Sequence, residues 1–310
     1  MTNVSTRPLG HSGIQVSLIG LGCNNFGRRL DRIQTRSVLD AAIGAGINFL
    51  DTADIYGETH SEEFMGESLR VRRSQVVLAT KFGMDRHDGV AGPRGSGGYI
   101  RGSVEGSLRR LQTDVIDLYW YHEPDGVTPI AETLEALGAL VKAGTVRAIG
   151  ASNFSAAQIQ EADEVARARG LTPFTAVQNE YSLLKREPEA EVLAVCERLE
   201  LAFIPYFPLA SGLLTGKYRR GAQAPAGTRL AGREQIASDE QWDTVEALRD
   251  YAQRRGTALS HVAIGALLTQ PAVVSVIAGA TKPEQIADNV AATDWHPSGA
   301  ELTELWQLLD

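Results

Sequence analysis

Short runs of apolar, β-branched residues alternate with longer amphipathic segments along the whole chain. The predicted strands are residues 16–22, 47–51, 76–81, 115–121, 146–151, 174–178, 202–206 and 273–278. Several are almost entirely apolar, which is typical of strands buried on both faces of a parallel sheet. The predicted helices are residues 33–45, 60–70, 99–111, 130–142, 155–168, 188–199, 239–255 and 283–292. Eight strand–helix repeats without a break in composition predict one (β/α)8 TIM barrel, an α/β fold, over residues 1–310.

Three segments outside this alternation are also informative. Residues 1–16 contain a Gly-His-Ser-Gly turn and predict a short N-terminal β-hairpin before the barrel. Residues 82–98 and 207–238 are long, glycine-rich loops that follow predicted strands. Long loops in compact domains are usually functional, and barrel enzymes carry their active sites on the face where the strands end. We therefore expect both to be active-site loops.

The composition excludes several classes of protein. Thirty Lys and Arg against 38 Asp and Glu give a formal charge of −8, which argues against a nucleic-acid partner. The two cysteines, Cys23 and Cys196, provide no disulfide framework, and the six histidines show no metal-binding spacing. Neither a signal peptide nor an apolar stretch long enough to cross a membrane is visible. We expect a cytoplasmic protein with no metal site and no membrane partner.

Four chemically reactive side chains occupy equivalent places relative to predicted strands. Asp51, Lys81 and His122 each stand at or directly after a strand end, and Tyr56 lies in the loop that follows Asp51. Because the carboxyl ends of parallel strands meet on one face, these groups are expected to converge there. A phenol, an ammonium, an imidazole and a carboxylate in one place predict a proton-transfer site.

The expected chemistry follows from the ordinary pKa of tyrosine, which is about 10 and makes the phenol a poor acid near neutral pH. A neighbouring Lys81 ammonium favours the phenolate and is expected to lower the pKa of Tyr56. Asp51 would hold Lys81 in place, and His122 would donate a second hydrogen bond to the substrate oxygen. The group predicts a general acid for a carbonyl oxygen that gains negative charge during reduction.

The motifs that carry these residues resemble the aldo-keto reductases, and their style is similar to the bacterial members and to the potassium-channel β subunits. The motifs are NFLDTADIYG at residues 48–57, ATKFG at 79–83 and DLYWYH at 117–122. The resemblance implies a barrel without a Rossmann domain that reduces an aldehyde or ketone with NAD(P)H, as an NADP-type alcohol dehydrogenase does. By that resemblance Asp51, Tyr56, Lys81 and His122 form the catalytic tetrad, with Tyr56 as the general acid.

Further motifs resemble the cofactor-binding segments of the same family. By resemblance, Ser152, Asn153 and Gln178 hold the nicotinamide carboxamide, and Tyr206 stacks on the ring. The pyrophosphate and adenosine ends would be bound by Leu209, Ser211, Gly212, Leu213, Thr215, Gly216, Lys217, Gly279, Thr281, Lys282, Gln285 and Asn289. NADPH is the expected cofactor. Lys282 is the only cation between residues 279 and 289, which weakens the preference for the 2′-phosphate of NADPH, so NADH stays possible.

Two other functions stay open. Lys81 could form a Schiff base in a lyase or aldolase, and the chain could be a cofactor-binding regulatory subunit. A Rossmann motif at Gly20-Leu21-Gly22 lacks its third glycine, and a nucleophile elbow around Ser152 lacks its closing glycine. The resemblance implies a small carbonyl substrate, and its identity is expected to depend on loops 24–30, 82–98 and 207–238. Its expected apolar walls are Phe26, Ile55, Phe82, Trp120 and Tyr121. The oligomeric state is not predicted.

Overall fold

The computed structural model describes residues 4–85 and 92–309. An antiparallel hairpin comes first, and eight parallel strands follow. The hairpin strands are β1 (Thr6–Pro8) and β2 (Gln15–Ser17). The parallel strands are β3 (Ile19–Gly22), β4 (Phe49–Asp51), β5 (Val77–Phe82), β6 (Ile116–Tyr121), β7 (Val146–Ser152), β8 (Ala176–Gln178), β9 (Ala202–Phe203) and β10 (Val276–Gly279).

The sheet closes on itself as a barrel. Its strand order is β10-β3-β4-β5-β6-β7-β8-β9, and all neighbours pair in parallel. Parallel bridges from Phe203 to Val273 and from Tyr206 to Ile277 connect the segments of β9 and β10. The predicted (β/α)8 fold is thereby confirmed.

The hairpin packs against the interior of the barrel. Leu9, Ile14 and Val16 belong to one buried cluster with Phe49 and Trp120 from the barrel strands. These apolar side chains fill the amino-terminal end of the barrel, and ligands of barrels of this kind bind at the carboxyl ends of the strands.

Helices cover the outside of the barrel. They are α1 (Arg32–Gly44), α2 (His60–Leu69), α3 (Gly97–Leu111), α4 (Ile130–Lys142), α5 (Ala156–Arg169), α6 (Val192–Arg198), α7 (Asp239–Arg254), α8 (Leu259–Leu268), α9 (Pro283–Ala291) and α10 (Gly299–Gln307). Local signals fix several of their starts. Ser155 caps α5, and the Gln158 side chain completes a capping box.

Three details differ from the sequence-based expectation. The predicted strand 16–22 is two elements, because the chain bends at residue 18 and Ser17 donates to the Ile19 carbonyl at 2.7 Å. The predicted helix 188–199 begins as a separate 3-10 turn, Glu187–Glu189, before α6. Helices α8 and α10 were not predicted. Since α8 is buried on nearly every side, it lacks the amphipathic period that reveals a surface helix.

The two long loops follow strand ends on the open face. Part of the predicted loop 82–98 belongs to β5 and α3, and its residues 86–91 lie outside the described residues. In the predicted loop 207–238, Phe207, Ala210 and Ser211 have left-handed backbone angles that are strained for residues other than glycine. Within residues 4–85 and 92–309, no helix combines the length and apolarity needed to cross a membrane.

Candidate active site

The loop after β4 carries two of the four predicted catalytic residues. Asp51 is the last residue of β4, and the Tyr56 amide donates to the Ala53 carbonyl at 3.1 Å in the turn that follows. Gly57 has a φ of +58°, and a Cβ there would lie 2.5 Å from the Phe26 carbonyl oxygen. Only glycine therefore fits next to Tyr56, and its turn fixes how the tyrosine enters the pocket.

Asp51 is the centre of a buried polar network. Its Oδ2 pairs with Lys81 Nζ, while its Oδ1 accepts from Trp120 Nε1 at 3.0 Å and from Gln178 Nε2 at 3.2 Å. Lys81 is fully buried and also donates to the Thr52 carbonyl at 2.8 Å. A buried ion pair is tolerated when its remaining hydrogen-bonding capacity is satisfied, as it is here.

Tyr56 and His122 lie around this ion pair. The Lys81 Nζ atom is 5.1 Å from the centre of the Tyr56 ring. The Tyr56 and His122 rings are 5.9 Å apart and nearly perpendicular, with an angle of 81°. The structure therefore brings Asp51, Tyr56, Lys81 and His122 together, on the ends of strands β4, β5 and β6 and the loops that follow them.

The pKa values of these groups are shifted by their surroundings. Burial raises the pKa of Tyr56, and the opposing effect of the Lys81 ammonium does not overcome it. The net direction is therefore opposite to the one expected from the sequence, although Lys81 acts with the expected sign. Burial lowers the pKa of Lys81, but Asp51 and Tyr56 outweigh it, and the net pKa is raised. Burial, followed by the charge of Lys81, holds the pKa of His122 well below its ordinary value.

Beside this group lies a cluster of amide and hydroxyl side chains. Asn153 Nδ2 donates to the His122 carbonyl at 2.9 Å and to Ser152 Oγ at 3.3 Å. Asn153 Oδ1 accepts from the Tyr206 hydroxyl at 2.7 Å. Together with Gln178, these side chains offer both hydrogen-bond donors and hydrogen-bond acceptors, which suits the carboxamide of a nicotinamide.

One continuous pocket of about 1350 Å³ contains both groups. It runs from Tyr56 and His122 to the start of α9. Of the predicted residues, those that line it are Asp51, Tyr56, His122, Ser152, Asn153, Gln178, Tyr206, Leu209, Ser211, Gly212, Thr215, Lys217, Gly279, Thr281, Lys282, Gln285 and Asn289. Lys81 lies buried beneath the pocket floor, and Leu213 packs in the hydrophobic core.

The far end of the pocket is shaped by α9. The Gln285 side chain accepts hydrogen bonds from the Thr281 amide at 2.7 Å and hydroxyl at 3.2 Å. Asp288, which the sequence analysis did not select, also lines this end, and it accepts from Ser260 at 3.0 Å. Lys282 precedes the first turn of the helix, so a cation stands at the N-terminus of α9 beside the pocket.

The prediction of the apolar side chains that line the pocket is wrong for four of its five residues. Ile55 lines the pocket, but Phe26, Phe82, Trp120 and Tyr121 are buried in the core. Trp120 is held inside the barrel by its bond to Asp51, and the Phe82 and Tyr121 rings stack 5.0 Å apart away from the opening. Loop residues occupy the walls instead.

The lining residues that the sequence analysis missed come mainly from loops 24–30 and 207–238. They include Asn24, Asn25, Arg28, Arg29, Phe207, Pro208, Ala226, Gly227, Thr228 and Arg229, joined by Cys23 and Met84. Both loops were expected to shape the substrate site, but nothing in the sequence shows which of their side chains face inward. In the part of the chain that the structure describes, no group of Cys, His, Asp and Glu is arranged to hold a metal ion.

Comparisons with known proteins agree with this architecture. The sequence profile described as the Aldo/keto reductase family matches residues 18–308. A probable voltage-gated potassium channel subunit beta of Oryza sativa subsp. japonica is 37% identical, over 94% of this chain and 92% of its own.

Two further relatives carry the names of oxidoreductases. The uncharacterized oxidoreductase YrpG of Bacillus subtilis (strain 168) is 37% identical, over 92% of this chain and 90% of its own. Probable aldo-keto reductase 1 of Glycine max is 33% identical, over 99% of this chain and 90% of its own. Since the profile matches nearly the whole chain, the chain belongs to the aldo/keto reductase family.

Proposed function

We propose that this oxidoreductase reduces an aldehyde or ketone to the alcohol by hydride transfer from NADPH, in the manner of an NADP-type alcohol dehydrogenase. The observation that carries the proposal is the buried Asp51–Lys81 ion pair directly beside Tyr56 in the pocket. A charged amine held in a dry environment next to a phenol is the arrangement that carbonyl protonation needs.

Tyr56 supplies the proton in this proposal. Because its pKa is raised, the hydroxyl keeps its proton at neutral pH, as the acid in a reduction must. When the proton passes to the substrate oxygen, the Lys81 ammonium stabilises the phenolate that remains. Asp51 acts through Lys81 by keeping that amine charged and fixed. Asp51 and Lys81 are thus positioning residues for Tyr56.

His122 orients the substrate. Its depressed pKa keeps the imidazole neutral at pH 7. Its Nδ1 is buried and has no hydrogen-bond partner among the described residues. A neutral ring carries one N–H donor, so His122 suits a hydrogen bond to the carbonyl oxygen without adding a second charge beside Lys81.

The pocket fits a nicotinamide dinucleotide. The exposed amide of Asn153, with Ser152 and Gln178, would bind the carboxamide, and the Tyr206 ring would orient the nicotinamide. When bound, the cofactor supplies the hydride. Lys282 and the start of α9 favour a 2′-phosphate, which supports NADPH, and NADH is proposed as the weaker cofactor. The free, buried cysteines suit the proposed cytoplasmic location.

Replacement of Tyr56 tests the proposal. Tyr56→Phe is expected to lower kcat for a panel of aldehydes by about 10²–10⁴-fold, because the general acid is lost. NADPH affinity, measured by the fluorescence of the reduced nicotinamide, should change little. Tyr251→Phe is the matched control, since Tyr251 lies outside the pocket and bonds the Glu301 carbonyl at 2.9 Å. A Tyr56→Phe enzyme with most of the wild-type rate would show that another group donates the proton.

A second candidate is a cofactor-binding regulatory subunit. It is favoured by the rice relative and by an Arabidopsis thaliana relative, 36% identical, which are both named probable voltage-gated potassium channel subunit beta. Tight NADPH binding without turnover of any aldehyde in the panel would support it over the reductase.

The Schiff-base alternative finds less support. Lys81 is paired with Asp51, and its raised pKa keeps the amine protonated near neutral pH. A Schiff base requires an uncharged amine, and Lys81 lies beneath the pocket floor, so the geometry disfavours a lyase or aldolase.

A further inference from the structure

Trp120 contacts the Asp51–Lys81 ion pair from the interior of the barrel. It is fully buried on β6, in the apolar cluster that also contains Leu9 and Ile14 of the hairpin. Its Nε1 donates to Asp51 Oδ1 at 3.0 Å. An indole N–H can only donate and does not titrate, so this bond keeps its direction over the whole working pH range.

The register of the sheet fixes where this indole lies. Trp120 pairs with Lys81 on β5 and with Gly150 on β7. Register partners on neighbouring strands point to the same face of a sheet, so these three positions all face the barrel interior. A Cβ at Gly150 would lie 2.4 Å from two carbon atoms of the Trp120 ring. The ring therefore occupies the space that a side chain on β7 would take.

The pairing of Trp120 with Gly150 has a cost in stability. Gly150 lies inside β7, and a glycine in the interior of a strand loses much backbone entropy on folding and packs no side chain. A β-branched residue at position 150 with a smaller apolar residue at position 120 would fill similar space without that cost. The pair present here has one property that such a combination lacks, which is an N–H aimed at Asp51.

The donors at Asp51 Oδ1 determine which of its oxygens meets Lys81. Oδ1 accepts from Trp120 and, at 3.2 Å, from Gln178 Nε2, while Oδ2 pairs with Lys81. With Oδ1 held, the carboxylate cannot rotate without breaking a buried hydrogen bond. Gln178 lines the pocket in which the proposed cofactor binds, whereas Trp120 is sealed in the core. The indole is therefore the donor that stays fixed whether or not the pocket is occupied.

We propose that Trp120 is a positioning residue of the reduction: its indole N–H holds the Asp51 carboxylate in the orientation that keeps the other oxygen on Lys81, and so maintains the ammonium beside Tyr56. The inference rests on the proposed reductase activity, because it adds a residue to that proton-transfer group. In this role Trp120 acts only through Asp51 and does not touch the substrate.

The test removes the N–H and keeps the ring. Replacing Trp120 by benzothienylalanine, in which sulfur replaces the indole N–H, should lower the single-turnover rate of aldehyde reduction by NADPH about tenfold, the effect of one hydrogen bond to a charged group. Trp120→Phe, which also removes volume, should lower the rate at least as much. NADPH affinity and the KM for the aldehyde should change little, since Trp120 is buried behind the pocket. Trp242→Phe is the matched control, because it removes a buried indole from α7.

Two further measurements separate positioning from a general loss of packing. Asp51 contributes to raising the pKa of Lys81, so a loosened Asp51 should lower that pKa and move the alkaline loss of rate to lower pH. A loss of packing alone would lower the rate equally at every pH. In a Lys81→Met background, Trp120→Phe should have no further effect on the rate, because its route to Tyr56 is already broken.

The outcomes distinguish the possible failures. If both replacements of Trp120 lower the rate no more than Trp242→Phe does, the inference is wrong while the reductase function stands. If the losses of Trp120→Phe and Lys81→Met multiply in the double variant, Trp120 has only a structural role and the inference is overturned. If the wild-type enzyme reduces no aldehyde while NADPH still binds, the proposed function fails and this inference fails with it.

Discussion

Replacing Asp51 by asparagine removes one buried charge with almost no change of shape. The Asn oxygen can still accept from Trp120 and Gln178, which bond Asp51 Oδ1 at 3.0 and 3.2 Å. The Asn amide group would, however, face Lys81, and two donors would meet where an ion pair stood. Lys81 would retain the Thr52 carbonyl at 2.8 Å and would otherwise be a buried ammonium without a counterion.

The expected cost is large because Lys81 is fully buried. Removing one partner of a buried ion pair destabilises a protein by about 3–5 kcal/mol. Asp51 contributes to raising the pKa of Lys81, so the stability from this pair is complete below the ordinary lysine value of 10.5 and is lost as the pH rises through the folded-state pKa. The difference between wild type and Asp51→Asn should therefore be full at pH 7 and shrink above about pH 10.5.

Urea unfolding followed by tryptophan fluorescence measures this cost, and the double variant Asp51→Asn/Lys81→Met provides the decisive comparison. The double variant has no buried charge left, so it should be more stable than Asp51→Asn alone. Equal midpoints for Asp51→Asn and wild type would refute the reasoning. The reasoning would also be refuted if the double variant lost as much free energy of unfolding as the two single variants together, because such additivity is what independent sites show.

The remaining predictions concern His122 and Gly150. The lowered pKa of His122 keeps it neutral when folded, so the unfolded chain gains a proton below its ordinary value of 6.5 and stability falls. Between pH 6.5 and 5 the free energy of unfolding should therefore fall less in His122→Gln than in the wild type, by up to about 2 kcal/mol. Urea unfolding at each pH measures this difference. Gly150→Ala places a Cβ 2.4 Å from the Trp120 ring, so it should cost about 1–3 kcal/mol and lower kcat. Gly102→Ala, with open space around it, is the control and should cost nothing.

The barrel and the positions of its reactive residues could be predicted because they depend on local periodicity. A parallel strand is recognised by its apolar run, and the end of that run places Asp51, Lys81 and His122 at the same edge. The same periodicity fails for α8, which is apolar on nearly all sides. For α10, the spacing of Ser298 and Glu301 is a local capping-box signal that marks the helix start.

Other features depend on contacts between distant parts of the chain. The net pKa shift of Tyr56 depends on burial, which opposes the charge of Lys81 and cannot be read from spacing. Trp120 was expected to form a pocket wall, yet the chain folds it inward to Asp51. The contact between Arg29 and Gly227 joins residues 198 positions apart, so no local pattern announces it.

The buried ion pair also bears on the choice between a reductase and a binding subunit. Replacing a buried ion pair by apolar residues of similar volume often stabilises a protein, so the Asp51–Lys81 pair is a poor device for stability alone. Neither of its members binds the nicotinamide carboxamide in the proposed site, and Lys81 does not reach the pocket surface. A subunit that only bound the cofactor would gain nothing from a charged amine beneath the Tyr56 hydroxyl. A proton donor in a dry site does require such an amine, because its conjugate base must be stabilised once the proton has left. The geometry therefore supports turnover.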